Sequence, residues 1–281
     1  MKRNLLISCY LVFNSLCAQS DYSKIKLIED SLVILSKKMI KENDVGVRTR
    51  ASYKFHKDLK TILRSPESLN YPFDSLKLIS QIKSPDKKFR IFTWELLIAR
   101  NHYIHFGLLQ LKNKKIPIVF NLNDISDDIL SPEDTICDQK HWYGAFYYNI
   151  LLKKKVLGHK YYLFGWDMND GRTFKKVLDV LTIKKGRLIF GSPDFYIKDG
   201  NAKQRHIIEY IQDASVTLNF DKDLKMIVYD HLIPLDDKDT NSPLVPDGSY
   251  HGLKYRNGKW EFVERVFHQR LKDGQAPLIK K

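Results

Sequence analysis

Short runs of aromatic and β-branched residues, each closed by a turn, follow one another from Lys87 almost to the C-terminus. That alternation leaves few folds open. Such runs read as strands, and the polar stretches between them are too short to hold crossover helices, so neighbouring strands must pair mainly antiparallel. "KKFRIFTWELLI" and "YIHFGLLQLK" are joined by "ARNH", and "KIPIVFNL", "HWYGAFYYNILLK", "KYYLFGW", "FKKVLDVLTI" and "RLIFG" come next. "HIIEYI", "SVTLNF" and "KMIVYDHLI" then lead to "SYHGLKY" and "KWEFVERV", which flank Asn257-Gly258, a two-residue hairpin signal. The pattern predicts about twelve strands in an antiparallel meander sheet, curved or sandwich- or barrel-like. An outer-membrane barrel would present alternate residues to lipid, whereas charges interrupt both faces of "FKKVLDVLTIKKGRL". No internal period of the kind a propeller needs is visible.

Residues 21–80 carry a different pattern. Ile25, Ile28, Leu32, Leu35 and Met39 recur at three- and four-residue spacing, which places them on one helix face. Asn43-Asp44 is suited to end that helix and cap a second, over about residues 45–64, with Val47, Ala51, Phe55, Leu59 and Ile62 on its apolar face. Ser65-Pro66 stops it, and in "YPFDSLKLISQI" Asp74 is a candidate N-cap for one short helical turn. The fold class expected is therefore mainly β (α+β), with an N-terminal helical layer over residues 19–80 packed on an antiparallel β domain over 81–281.

The first residues, "MKRNLLISCYLVFNSLCAQS", combine the positive Lys2 and Arg3, an apolar run from Leu5 to Phe13, and the small-residue exit Ser15, Cys17 and Ala18. This is the pattern of a secretory signal peptide over residues 1–18, too short to remain as a membrane span. It predicts export to the periplasm or the medium. Lipid attachment at Cys9 or Cys17 fits less well, because the apolar run continues past Cys9 and "NSL" precedes Cys17 poorly. Loss of the signal removes Cys9 and Cys17, leaving Cys137 as the single thiol, so no intramolecular disulfide can form. Cys137 with His141 as its base lacks an activating neighbour, and a small apolar plug is expected there. The chain holds 47 basic and 33 acidic side chains, and departure of Lys2 and Arg3 leaves a formal excess of 12. Export and the scattering of the lysines argue against nucleic acid. The partners expected are anionic envelope surfaces or glycans, and Lys153-Lys154-Lys155 is expected to be a solvated hairpin tip.

Several stretches invite a catalytic or metal reading. In "YYLFGWDMNDGRTFKKVL", counting from Asp167, Asn169 is third, but Gly171 falls fifth and Leu178 stands twelfth, so the calcium-loop spacing fails. Asn-Asp-Gly between two strand runs is turn chemistry, and no metal or cofactor is expected. "VYDHLIPLDD" and "PLVPDGSYHG" supply Asp230, His231 and Asp247, a candidate carboxylate–imidazole set for hydrolysis of glycans or peptides. Adjacent strand residues point to opposite faces, however, so Asp230 is poorly placed to orient His231. His102 and His105 face opposite sides of one strand for the same reason and are poor co-ligands. Trp142, Tyr143 and Trp166 are candidates for a sugar-stacking platform, against ordinary burial of aromatics in a sheet. Glycine-rich phosphate loops, zinc patterns and a nucleophile elbow are absent from the sequence.

The segments "YPFDSLK", "SPDKKFRIFTWEL", "WYGAFYYNI", "GWDMND", "VYDHLIP" and "PDGSYHG", in this order, resemble a family of exported proteins of Bacteroidetes-type bacteria with no assigned activity. The resemblance covers most of residues 70–265 and implies export and a single unit, with no catalytic residue to carry over. A non-catalytic binding or scaffolding module of the cell envelope is the function expected, with envelope hydrolase and polyanion-binding protein as alternatives.

Overall fold

The computed structural model describes residues 2–154, 158–197, 200–239 and 241–266, with side chains described from Tyr22 onward. The side chains of the signal segment, Lys155 of the lysine run and the last fifteen residues lie outside the described residues. Among the described residues no helix is long and apolar enough to cross a membrane.

Two helices come first, α1 (Lys2–Lys41) and α2 (Val45–Leu63). Asp44 caps α2 as its sequence position predicts, accepting a hydrogen bond from the Val47 amide at 2.7 Å. Arg48, one turn in, is buried and ties three elements together. Its guanidinium donates to the Glu42 and Asn43 carbonyls at the end of α1 and to the Leu97 carbonyl of the first sheet. The expected stripes do face inward, with Ile25, Leu32, Met39, Ala51, Phe55 and Leu59 buried. The short helical turn expected after Asp74 does not form. Phe73, at φ 55°, accepts the Leu76 amide in a single turn, and the Ser75 amide donates to buried Glu29 of α1 at 2.8 Å instead of leaving Asp74 to cap a helix.

The strands begin earlier than the aromatic runs suggested, at Ser80. The first sheet is a plain meander of β1 (Ser80–Lys83), β2 (Phe89–Ala99), β3 (His102–Leu111) and β4 (Ile118–Asn123). The second contains β5 (Cys137–Asp138), β6 (Phe146–Lys153), β7 (Lys160–Asp167), β8 (Thr173–Lys184) and β9 (Arg187–Phe190), in the order β5-β9-β8-β7-β6. The third is built from β10 (Phe195–Tyr196), β11 (Ala202–Lys203), β13 (Leu218–Asp221), β14 (Met226–Pro234), β15 (Leu244–Arg256) and β16 (Lys259–Val263). Between them in sequence, β12 (His206–Ile211) pairs with the first half of β8. Strand pairing is antiparallel throughout the described strands except for β10 with β16. One sheet curls into a half-barrel. Asn257 and Gly258 take φ 48° and 86° in the last hairpin, the conformation that their side chains favour.

The period of two along the strands stacks these parts into layers. Phe92, Trp94 and Leu108 of the first sheet pack on the helices, and Phe55 meets Trp94 edge-on at 5.0 Å. The alternate residues Ile91 and Leu109 face the second sheet and meet Leu163, Val177 and Leu181. Tyr162, Phe164, Leu178 and Val180, on the other face of that sheet, pack against Ile227, Leu253 and Trp260 of the third. The middle sheet is thus buried on both sides. One interior acid of this sheet, Asp179, is matched by Arg205 at 3.4 Å, both fully buried.

The candidate functional site

The helical layer and the first two sheets leave between them a cleft of about 360 Å³. Met39 and Ile40 end α1 on one side, Leu78, Leu97 and Tyr103 continue the wall, and Phe146, Trp166 and Met168 close the opposite side. Arg48 also lines it, but its guanidinium is already spent on backbone carbonyls. The acidic group of the lining is Glu95.

Behind Glu95 lies a buried cluster. Glu95 and His105 are direct cross-strand partners on β2 and β3, and their side chains meet with Nε2 to Oε1 at 3.0 Å. Asp167, the last residue of β7, comes from the facing sheet and places Oδ1 3.6 Å from the same Nε2. Asp124, just after β4, takes the other ring nitrogen, with Nδ1 to Oδ2 at 3.1 Å, and the same oxygen accepts the His105 amide at 2.8 Å. The remaining Asp124 oxygen accepts from the Ser126 amide and hydroxyl and from the Gly144 amide. A Cβ on residue 144 would stand 2.5 Å from the Asp124 carboxylate and 2.6 Å from His105 Cβ, so only glycine allows this approach.

Burial alone would push the His105 imidazole down. Hydrogen bonds to Asp124 and Glu95 and the charge of Asp167 outweigh it and hold the imidazole well above its ordinary value. For Asp124, burial raises the carboxyl, but His105 and Ser126 overcome this and set it at about 2. Burial also raises Asp167, opposed by His105 and the Asn169 amide. Among the described residues no Lys or Arg lies within ion-pair distance of Glu95, Asp124 or Asp167.

The sequence-derived candidates distribute differently. The island after Asp167 is a hairpin turn, with Asn169 at φ 47°, Gly171 at φ 69° and the Gly171 amide bonded to the Met168 carbonyl. Asp167 itself, however, turns inward into the cluster. His231 does meet Asp247, with Nδ1 to Oδ2 at 2.9 Å, where a register shift interrupts the β14–β15 pairing. Asp230 does not join them: its carboxylate accepts the Thr217 amide at 2.6 Å. Burial raises Asp247, but Ser249 and His231 outweigh it and hold the carboxyl at about 2. The Ser249 hydroxyl is bonded to Asp247 rather than to His231, so no base bridges acid and nucleophile as hydrolysis by a serine would need.

Of the platform candidates, two follow the ordinary burial of aromatics in a sheet. Trp142 and Tyr143 are 0% and 2% exposed, with the Trp142 indole donating to the Tyr147 hydroxyl, because both complete the core between the first two sheets. Trp166 alone of the three lines a cavity. Cys137 is buried beside Arg205, and burial raises its thiol, the inert role expected of it. Lys153 is no solvated tip. Its ammonium lies 4.8 to 5.5 Å from the Tyr255, Trp260 and Phe220 rings, which draw the chain end of β6 onto the third sheet. A second cavity, of about 300 Å³, is ringed by Lys83, Lys87, Lys88, Lys112 and Arg90.

Sequence reasoning missed Glu95 and the cluster role of His105, which stand within the strand runs, and Asp124, which follows the run ending at Leu122. The one usable signal was a charged pair, Glu95 and His105, inside otherwise apolar strands. Comparison with protein-family models, with curated proteins and with solved structures gives no match.

Proposed function

We propose that the chain is an exported, non-catalytic binding module of the cell envelope, and that the cleft ending at Glu95 is its ligand site. The observation that carries this reading is a cavity of about 360 Å³, walled by Tyr103, Phe146, Trp166 and Met168, with one buried polar cluster at its end. Small-molecule sites have this form, an apolar enclosure of some hundreds of cubic ångströms with a few convergent polar groups. The ligand is therefore a small molecule with an aromatic or apolar body and one polar head directed to Glu95. Export rests on the tripartite start of the sequence and on the resemblance described above. The basic ring of Lys83, Lys87, Lys88 and Lys112 suits contact with anionic envelope glycans.

Trp166 makes the reading testable. Trp94, Trp142 and Trp260 are at most 1% exposed, so a polar quencher reaches Trp166 first. An anilinonaphthalene dye is expected to bind with one-to-one stoichiometry and to shield Trp166 from acrylamide. Leu78→Phe, which fills the cleft, should weaken dye binding at least tenfold while the circular dichroism spectrum is kept. Dye binding equal in both proteins would overturn the assignment.

A further inference from the structure

We propose that His105 Nε2, Glu95 and Asp167 form a binding site for a divalent transition-metal ion of the zinc type at the inner end of the cleft. This deepens the cleft reading and rests on it, since the ion's remaining coordination position would face the cleft ligand.

The donor set is the first argument. One imidazole nitrogen and two carboxylates are ligands that zinc accepts in open, three-residue sites. Their donor atoms all lie within 4.8 Å of one another. Zinc bonded at about 2.1 Å in tetrahedral geometry keeps its donors roughly 3.4 Å apart. The 3.0 Å from Nε2 to Glu95 and the 3.6 Å from Nε2 to Asp167 bracket that separation. Calcium is a poor match, because it takes about six to eight oxygen ligands and no nitrogen.

A further carboxylate, outside the ligand set, holds His105 in place. Asp124 accepts from His105 Nδ1 and is itself held by Ser126 and Gly144. A carboxylate on the far nitrogen is the arrangement that orients metal-binding histidines, fixing the tautomer that leaves Nε2 to the metal. The backbone is shaped to keep it there, since no side chain fits at residue 144.

Charge balance is the third. Three carboxylates gather around one imidazole in a site whose four side chains are each at most 10% exposed. A divalent ion bound at Nε2 offsets two carboxylate charges there. Lys175 acts on Asp167 by its charge, but its ammonium is bonded to Asn169 and lies at ion-pair distance from Glu209. Burying unbalanced charge is costly, and a metal ion removes part of that cost.

The test uses the purified full chain, stripped with a chelator and then titrated with zinc by calorimetry. One site is expected, together with a rise of several degrees in melting temperature that calcium does not reproduce. Asp167→Asn and Glu95→Gln, close to isosteric, should each weaken zinc at least tenfold, and Asp124→Asn roughly 10- to 100-fold. Cobalt(II) bound to the unsubstituted protein should show the intense visible bands of a four-coordinate site, and zinc should perturb the Nε2 resonance of a single buried histidine. These spectra need no variant and stand even if a substitution prevents folding. Dye binding in the cleft, measured in parallel, separates the two readings: zinc lost in Asp167→Asn with the dye retained supports the metal site. Absence of zinc uptake would overturn it. So would uptake that survives Asp167→Asn and Glu95→Gln but disappears in His231→Ala, which would place the ion on the surface pair of His231 and Asp247.

Discussion

Asp167 is where turn chemistry and cluster chemistry meet. Its Oδ1 accepts the Asn169 amide at 2.7 Å, which starts the turn, and the same oxygen faces His105. The turn holds the carboxylate on its inward path, so strain in the turn should be felt at the cluster. Gly171 is the residue that permits it: at φ 69° any side chain is strained, and a Cβ there would stand 3.0 Å from the Asn101 side chain. Gly171→Val should therefore cost on the order of 1 kcal/mol or more in stability, read from the denaturant midpoint at constant slope. An unchanged midpoint would mean that the hairpin has an equally good alternative conformation. The turn was legible in "NDG" because its cause is local. The inward direction of Asp167 was not, because it depends on a partner from another sheet.

At the scale of elements, the helices behave as their patterns require. Asp44 caps α2, and one turn later Arg48 clamps the end of α1 and the β2 edge that lines the cleft. Asp44→Ala should cost about 1 kcal/mol by chemical denaturation, since a cap oxygen satisfies an amide that the helix leaves open. Full retention of stability would show that Arg48 and its carbonyl partners hold the helix start unaided. The strands were legible as elements, including the Asn257-Gly258 hairpin, because aromatic and branched residues and turn residues carry that information locally. The segment over residues 71–79 was misread for the complementary reason. Asp74 has a cap's chemistry, but Phe73 is pulled into the core and Glu29 of α1 takes the Ser75 amide, so tertiary contacts override the local preference.

At the scale of the whole molecule, residues from both the helical layer and the sheets line one cleft, so neither part supplies that site alone. The start of the chain bears on where the molecule works. Protein recovered from the producing cell should lack about its first 18 residues by intact mass, with the cut after Ala18. A full-length species as the main form would overturn export. What the sequence by itself determined is the class of the fold: periodicity of two, turn residues between the runs, and two helical stripes at the start suffice for a mainly antiparallel β protein with a helical layer. Those signals act over a few residues, and they survive in any tertiary arrangement. Only the tertiary structure decided that three sheets stack, that Trp142 and Tyr143 lie in the core, and that Glu95, His105, Asp124 and Asp167 meet. The last of these needs the β2–β3 register and the facing of two sheets at once, and each is set by packing between residues far apart in the chain.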